Sequence, residues 1–292
     1  MQSSATLAPS LQPVIAPNVS SNTEKRKNIN VATISQFRAA LLSTQFEAGN
    51  VNTLLNNGFR ISQENDFSVY YAPFEHIEPK ARIVIVGITP GLQQAMNALR
   101  EAQRALLASQ SDADAARAAK VFASFSGPMR SNLVSMLDYI GVHRILSIDS
   151  TADLWTHHSN LVHFTSALRY PVFVGGKNYS GTPSMLKVPM LVQMIDVFLA
   201  EETRALPDAI WVPLGPAATD GVNRLIQSNL LHRDQVLHGL PHPSGANAER
   251  IAYFLQRKAR SDLSAKTSPE KIDLVRDRLI RQVASIGKPA RS

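Results

Sequence analysis

The chain predicts a three-layer α/β sandwich around a central, mainly parallel sheet. Two observations predict it: apolar β-branched runs without the alternation of half-exposed strands, and amphipathic helical segments interleaved with them. A third sets the size, since 44% of the 292 residues are hydrophobic, enough for one sizeable core with tails.

Residues 1–30 read as a flexible tail. Met1 to Asn22 is rich in Ser, Pro and Ala, is broken by Pro9, Pro13 and Pro17, and lacks the charged and apolar regions of a secretion signal. The α/β body spans residues 31–260. Helical spacing (Ile34, Phe37, Leu41, Leu42) opens it, and Ala81 to Val86, bounded by Pro79 and Gly87, reads as a central strand buried on both faces. A helix from Gln93 to Leu107 follows and resumes after Ser111 to about Val121. Leu133, Met136, Leu137 and Ile140 mark a second amphipathic helix from Ser131 to Gly141. Ser159 to Ser166 reads as a strand, Pro171 to Pro183 as a Gly/Pro/Ser-rich loop, and Leu186 to Leu199 as a helix. Ala209 to Gly215 is another buried strand, Thr219 to Leu230 a helix, and Val236 to Leu240 a last short strand entering the loop Pro241 to Asn247. A helix from Ala248 to Arg260 closes the body. Residues 261–292 form a basic segment with a helix from Pro269 to Val283.

The formal charge is +7, and ten Lys/Arg against four Asp/Glu from Ile251 onward place +6 of it at the C-terminal end. Such an end on a near-neutral body suits a polyanionic partner such as DNA, the plainer reading being a solvated helix face. There is no cysteine, which excludes disulfides, thiolate nucleophiles and Cys-ligated zinc or iron–sulfur clusters. No run approaches the roughly 20 apolar residues of a membrane helix, so no membrane partner is expected. A cytoplasmic location is expected, at the nucleoid if the source is bacterial.

In a doubly wound sheet, ligands bind beyond the carboxyl ends of the strands. Two loops at those ends carry unusual sequence. Gly87-Ile88-Thr89-Pro90-Gly91 is a stiffened sharp turn before a helix, suited to a phosphate, a carbonyl or a catalytic water, or simply to joining strand and helix. His242 stands between Pro241 and Pro243, held outside any helix, with Ser244 and Asn247 available as caps for the next helix. Other readings fail. Lys177 has no P-loop around it, because Pro171 occupies the required glycine position and Asn178 replaces Ser/Thr. His157, His158 and His163 have no acidic neighbour to complete a metal site, so no metal is expected. A serine hydrolase would need G-x-S-x-G around Ser244.

Taken together, GITPG after the first core strand and HPSGAN after the last resemble the two signature motifs of the uracil-DNA glycosylase superfamily. Phe125-Ser126-Gly127-Pro128 resembles the Phe-x-Gly-Pro segment of its thermostable branch, and Ser159-Asn160-Leu161-Val162 its base-reading strand. The similarity covers about Ile83 to Leu255. It implies a uracil-DNA glycosylase-like fold and a monofunctional enzyme, acting as a monomer, that hydrolyses the N-glycosidic bond of a flipped-out uracil or modified pyrimidine in single- or double-stranded DNA. In that role His242 donates to the departing base, Thr89 places water, and Phe125 stacks on the ring. Asn160 reads the base edge, and Gly87, Ile88, Pro90 and Gly91 line the base site. Lys177, Asn178, Ser244, Gly245 and Asn247 contact the DNA strand.

Two departures stand out. The thermostable branch holds an iron–sulfur cluster through cysteines that this chain lacks, so no cofactor is implied. Thr89 stands where strong uracil excisers have Asp or Asn, and threonine is no general base at neutral pH. That substitution admits a glycosylase for a bulky modified cytosine or other base of foreign (phage) DNA, and an inactive DNA-binding protein with the same fold.

Overall fold

Continuous β-branched sequence builds the centre of the molecule. β3 (Ile83–Gly87) runs parallel between β4 (Val162–Ser166) and β7 (Ile210–Pro213), in register from Ile83↔Val162 to Gly87↔Ser166 and from Ile83↔Ile210 to Val86↔Pro213. Every residue of β3 and β4 is buried, as the missing polar alternation requires. The computed structural model describes residues 31–46 and 58–286; the expected flexible tail, residues 1–30, lies outside them.

The two strand faces bury different chemistry. Ile83, Ile85, Val162, Phe164 and Val212 join a core closed by helices α4 (Pro128–Tyr139), α5 (Val142–Leu146), α9 (Ala248–Phe254) and α10 (Pro269–Ile286). On the opposite face, His163 of β4 meets Glu202 of α7 (Ala200–Ala205), Nε2 to Oε2 at 3.4 Å. Helices therefore cover both faces of a parallel sheet.

The remaining elements follow local signals. α1 (Ile34–Ser43) starts at a Thr33–Gln36 capping box. α2 (Leu92–Leu107) and α3 (Asp112–Ala123) are separated by Ser109 at φ 61°, and the Ser111 hydroxyl accepts from the Asp114 amide at the start of α3. α4 begins at Pro128, three residues before the sequence expectation, because Gly127 at φ 71° turns the chain and proline suits a first helical position. α6 (Pro189–Met194) passes through one π turn (Ile195–Leu199) into α7, extending the expected helix to Ala205. α8 spans Pro216–Gln227.

Two expectations are corrected. The loop Pro171 to Pro183 contains β5 (Val172–Val174) and β6 (Lys177–Asn178), joined by Gly175 and Gly176 at positive φ. These pair with β1 (Arg60–Glu64) and β2 (Phe67–Tyr70) in a second, antiparallel sheet of order β1-β2-β5-β6. The expected strand Val236 to Leu240 is reduced to one parallel bridge, Trp211↔Val236, because the chain turns at Gly239 (φ 92°).

α10 is built into the body. Leu279 and Val283 enter the core, and Gly239 lets the helix approach, since a Cβ there would lie 3.0 Å from Val275. The Gln282 amide donates to the carbonyls of Asp234 and Val236, each at 3.2 Å, and Arg278 donates to that of His238 at 2.6 Å.

A buried ionic cluster lies behind the parallel sheet. Arg169 donates from Nε (3.1 Å) and Nη2 (2.9 Å) to Glu202 Oε1, and from Nη2 to Glu201 (3.0 Å) and the Phe198 carbonyl. Lys120 donates to the carbonyls of Phe74 and His76. Its burial pulls its pKa down to about 7, although Glu202 opposes the shift.

Candidate functional site

The carboxyl ends of β3 and β4 open into a cleft of about 240 Å³. The two unusual loops converge there: residues 87–91 form one side and His242 reaches in from another. Phe125 and Ser166 complete the inner wall, with Tyr179 and Ser180 from the loop after β6.

His242 is the best-defined polar group in the cleft. Its Nδ1 accepts a hydrogen bond from the Ser244 amide at 3.3 Å. An amide can only donate, so Nδ1 is unprotonated and the neutral ring carries its proton on Nε2. Burial holds the pKa below the ordinary histidine value, which keeps that neutral form in place near pH 7. Asn132 of α4 anchors the loop by donating to the Pro243 carbonyl at 2.9 Å. Gly215 allows the close approach on the other side, since its Cβ would lie 3.2 Å from that of His242. Ser244 and Asn247 are tied to each other through Nδ2 and Oγ at 3.4 Å, while Gly245 is exposed at the start of a short turn.

Thr89 is more committed than its sequence role requires. Its hydroxyl donates to the Tyr170 carbonyl at 2.9 Å and accepts from the Val172 amide at 3.1 Å, pinning the turn to the start of β5. Its proton is thus engaged, and one lone pair remains for anything that enters the cleft. The helix start behind it is likewise occupied: Gln94 accepts from the Gly91 amide and Asn178 from the Leu92 amide. Asn178 therefore closes the turn from β6, and Lys177 lies exposed on the same hairpin.

Phe125 adopts φ 49°, a conformation that costs a bulky residue energy and recurs at functional sites. The ring packs on Phe164 with centroids 5.9 Å apart and lies over Gly87, where a Cβ would meet Phe125 Cζ at 3.6 Å and Ser166 Oγ at 3.2 Å. Gly87 thus keeps the floor open.

Asn160 is not in this site. It lies in the single 3-10 turn Ser159–Leu161 before β4, so the length of the strand, about 16 Å, separates it from the cleft. The expected strand begins three residues too early, and only its carboxyl end reaches the crevice. Thr165 and Ser166 stand there instead, and Thr165 Oγ1 is buried with no hydrogen-bond partner among the described residues. A signal for them exists in the sequence: two hydroxyl residues end an apolar run at the edge where ligands bind. Arg169, Tyr179 and Gln94 also line the cleft and have no local signal.

Among the described residues no Asp or Glu lines the cleft, and no three His, Cys, Asp or Glu side chains group as metal ligands. Nor, among them, is any helix long and apolar enough to cross a membrane.

The chain is 37% identical over 223 residues to the uncharacterized protein YoxB of Bacillus subtilis (strain 168), an alignment covering 75% of this chain and 87% of that one. No family model and no solved structure matches.

Proposed function

We propose that this chain, which belongs to the same family as YoxB, is a monofunctional DNA glycosylase of the uracil-DNA glycosylase type acting on a flipped-out pyrimidine. One observation carries the reading: the Thr89 turn, the strained Phe125 and the Nε2–H tautomer of His242 converge on one small cleft. Pockets for drug-sized ligands run from about 300 to 1,000 Å³, so a cleft near 240 Å³ suits a single ring. A bulky substituent on that ring would have to extend out of the mouth.

The chemistry follows from the donors present. The C1′–N bond breaks, its electron pair goes to the base, and the His242 Nε2–H donates to the base oxygen on which charge gathers. Water adds at C1′ of the resulting oxocarbenium ion, and its proton leaves for the base or solvent, giving free base and an abasic sugar. Such a cation needs little activation of the water, which suits a cleft without carboxylates. Phe125 offers a face for stacking, and Thr165 and Ser166 replace Asn160 as readers of the base edge.

The reading is tested by incubating the protein with single- and double-stranded DNA carrying uracil, mismatched thymine or modified cytosines. Alkali-labile sites and the mass of a released base support it. Retained DNA binding with no base released from any substrate favours the inactive binder, the reading that Thr89's engaged hydroxyl supports. Ser166→Ala is expected to lower kcat/KM about tenfold, the effect of one lost hydrogen bond. Asn160→Ala should change it less than twofold. The opposite ranking would return the reader to Asn160.

A further inference from the structure

Part of the positive charge of the C-terminal segment is paired, and part is gathered on one groove. Arg260 pairs with Glu270, Lys258 with Glu249 at 2.9 Å, and the buried Arg276 with Asp273 at 2.7 Å. Among the described residues, Arg278 and Arg281 of α10 make no ion pair, and they line a groove of about 600 Å³. Its other wall is the segment entering the sheet edge, with Arg233, Val236 and His238. Arg233 and Arg278 both lie close enough to His238 to depress its pKa further after burial has lowered it. His238 Nε2 is buried and has no hydrogen-bond partner among the described residues. Among the described residues, Asp234 is the one acid in the lining, and it forms no ion pair with any of them. Gln282, Ser285 and Ile286 complete the groove.

Three guanidinium groups against one carboxylate form a multidentate oxyanion receptor. The groove also has a fixed relation to the cleft. His238 and His242 are four residues apart on one stretch of chain, so their Cα atoms are separated by no more than about 14 Å.

We propose that this groove binds the phosphates of the nucleic-acid strand whose base enters the cleft, a few nucleotides from the flipped position. The inference rests on DNA as the substrate of the cleft, but its test does not depend on catalysis. Truncating α10 would strip Leu279 and Val283 from the core, and Arg278 holds the His238 carbonyl, so the exposed Arg233 and Arg281 are the residues to change.

The probe is a fluorescently labelled oligonucleotide of ordinary bases, titrated by anisotropy across roughly 50–200 mM salt. Arg233→Gln/Arg281→Gln should lower the slope of log K against log salt by about two, one per lost phosphate contact. Arg257→Gln/Lys271→Gln removes equal charge from the same segment outside the groove and should lower it by less than half as much. Equal slopes for the two double variants, or a groove variant identical to the unaltered protein, would overturn the proposal. Inorganic phosphate at matched ionic strength separates the sources: weaker competition than by unlabelled oligonucleotide supports a strand, and equal competition per phosphate points to a free-anion site and overturns it. A slope change without base release from any DNA would leave the groove standing and remove the glycosylase reading.

Discussion

His242→Ala is expected to lower base release by about 100- to 1,000-fold while DNA affinity stays within a few-fold. That loss is the usual consequence of deleting one preorganised donor to a developing oxyanion. The ring is held ready for this donation, its proton fixed on Nε2 by the Ser244 amide and its position by Asn132 and Gly215. The same arrangement sets the pH profile. Protonating Nδ1 would set two N–H donors against each other at the Ser244 contact, so the loop works only with a neutral ring. Activity should therefore fall as pH drops through a value below the ordinary 6.5 for histidine. No second acid limb is expected, since no carboxylate among the described residues lines the cleft. Single-turnover base release followed from about pH 4.5 to 8.5 checks both points; undiminished activity in the alanine variant would remove His242 from the mechanism.

The second large effect lies behind the cleft. Glu202→Ala should destabilise the protein by about 3–5 kcal/mol, because it leaves buried Arg169 and Lys120 short of their compensating charge. Thermal midpoints of chains this size move by about 2–4 °C per kcal/mol, so a fall of roughly 10 °C is expected. Acid sensitivity has a definite sign. Burial pushes the Glu202 pKa up, but Arg169, His163 and Lys120 outweigh it and hold it at about 2. The stability this provides is present above the ordinary 4.5 and is lost as pH falls toward 2. His163, lowered to about 4 by burial and then Lys120, adds an earlier loss between 6.5 and 4. Melting curves from about pH 7.5 down to 4 should decline, Lys120 contributing above about 7 and His163 between 6.5 and 4, and His163→Asn should flatten the latter part. A midpoint independent of pH across this interval would contradict the assignment.

Much of the site is legible in the sequence because local chemistry dictates it. A β-branched run ending in glycine must be a buried strand with a sharp exit, and a histidine between two prolines must sit in a loop. The rule that ligands gather at strand carboxyl ends then brings Thr89 and His242 to one place. What is not legible depends on register or on distant partners. The sequence pattern puts Asn160 in a strand that starts only at Val162, and those few residues of slippage leave it at the wrong end of the sheet. β1 is short and largely polar, and the β1–β2 hairpin joins a sheet only because β2 pairs with β5, about a hundred residues away. The Thr89 hydroxyl is available by composition but is consumed by Tyr170 and Val172, a tertiary fact with no sequence signature.

Where α10 meets the sheet margin, the carbonyls of Asp234, Val236 and His238 project away from the sheet, the bare acceptors onto which a stray strand could graft. Side chains of Gln282 and Arg278 occupy all three. The helix thus acts as a guard against edge-to-edge polymerisation, and a chain shorn of it would be prone to stack into aggregates on that side even if its strands still formed.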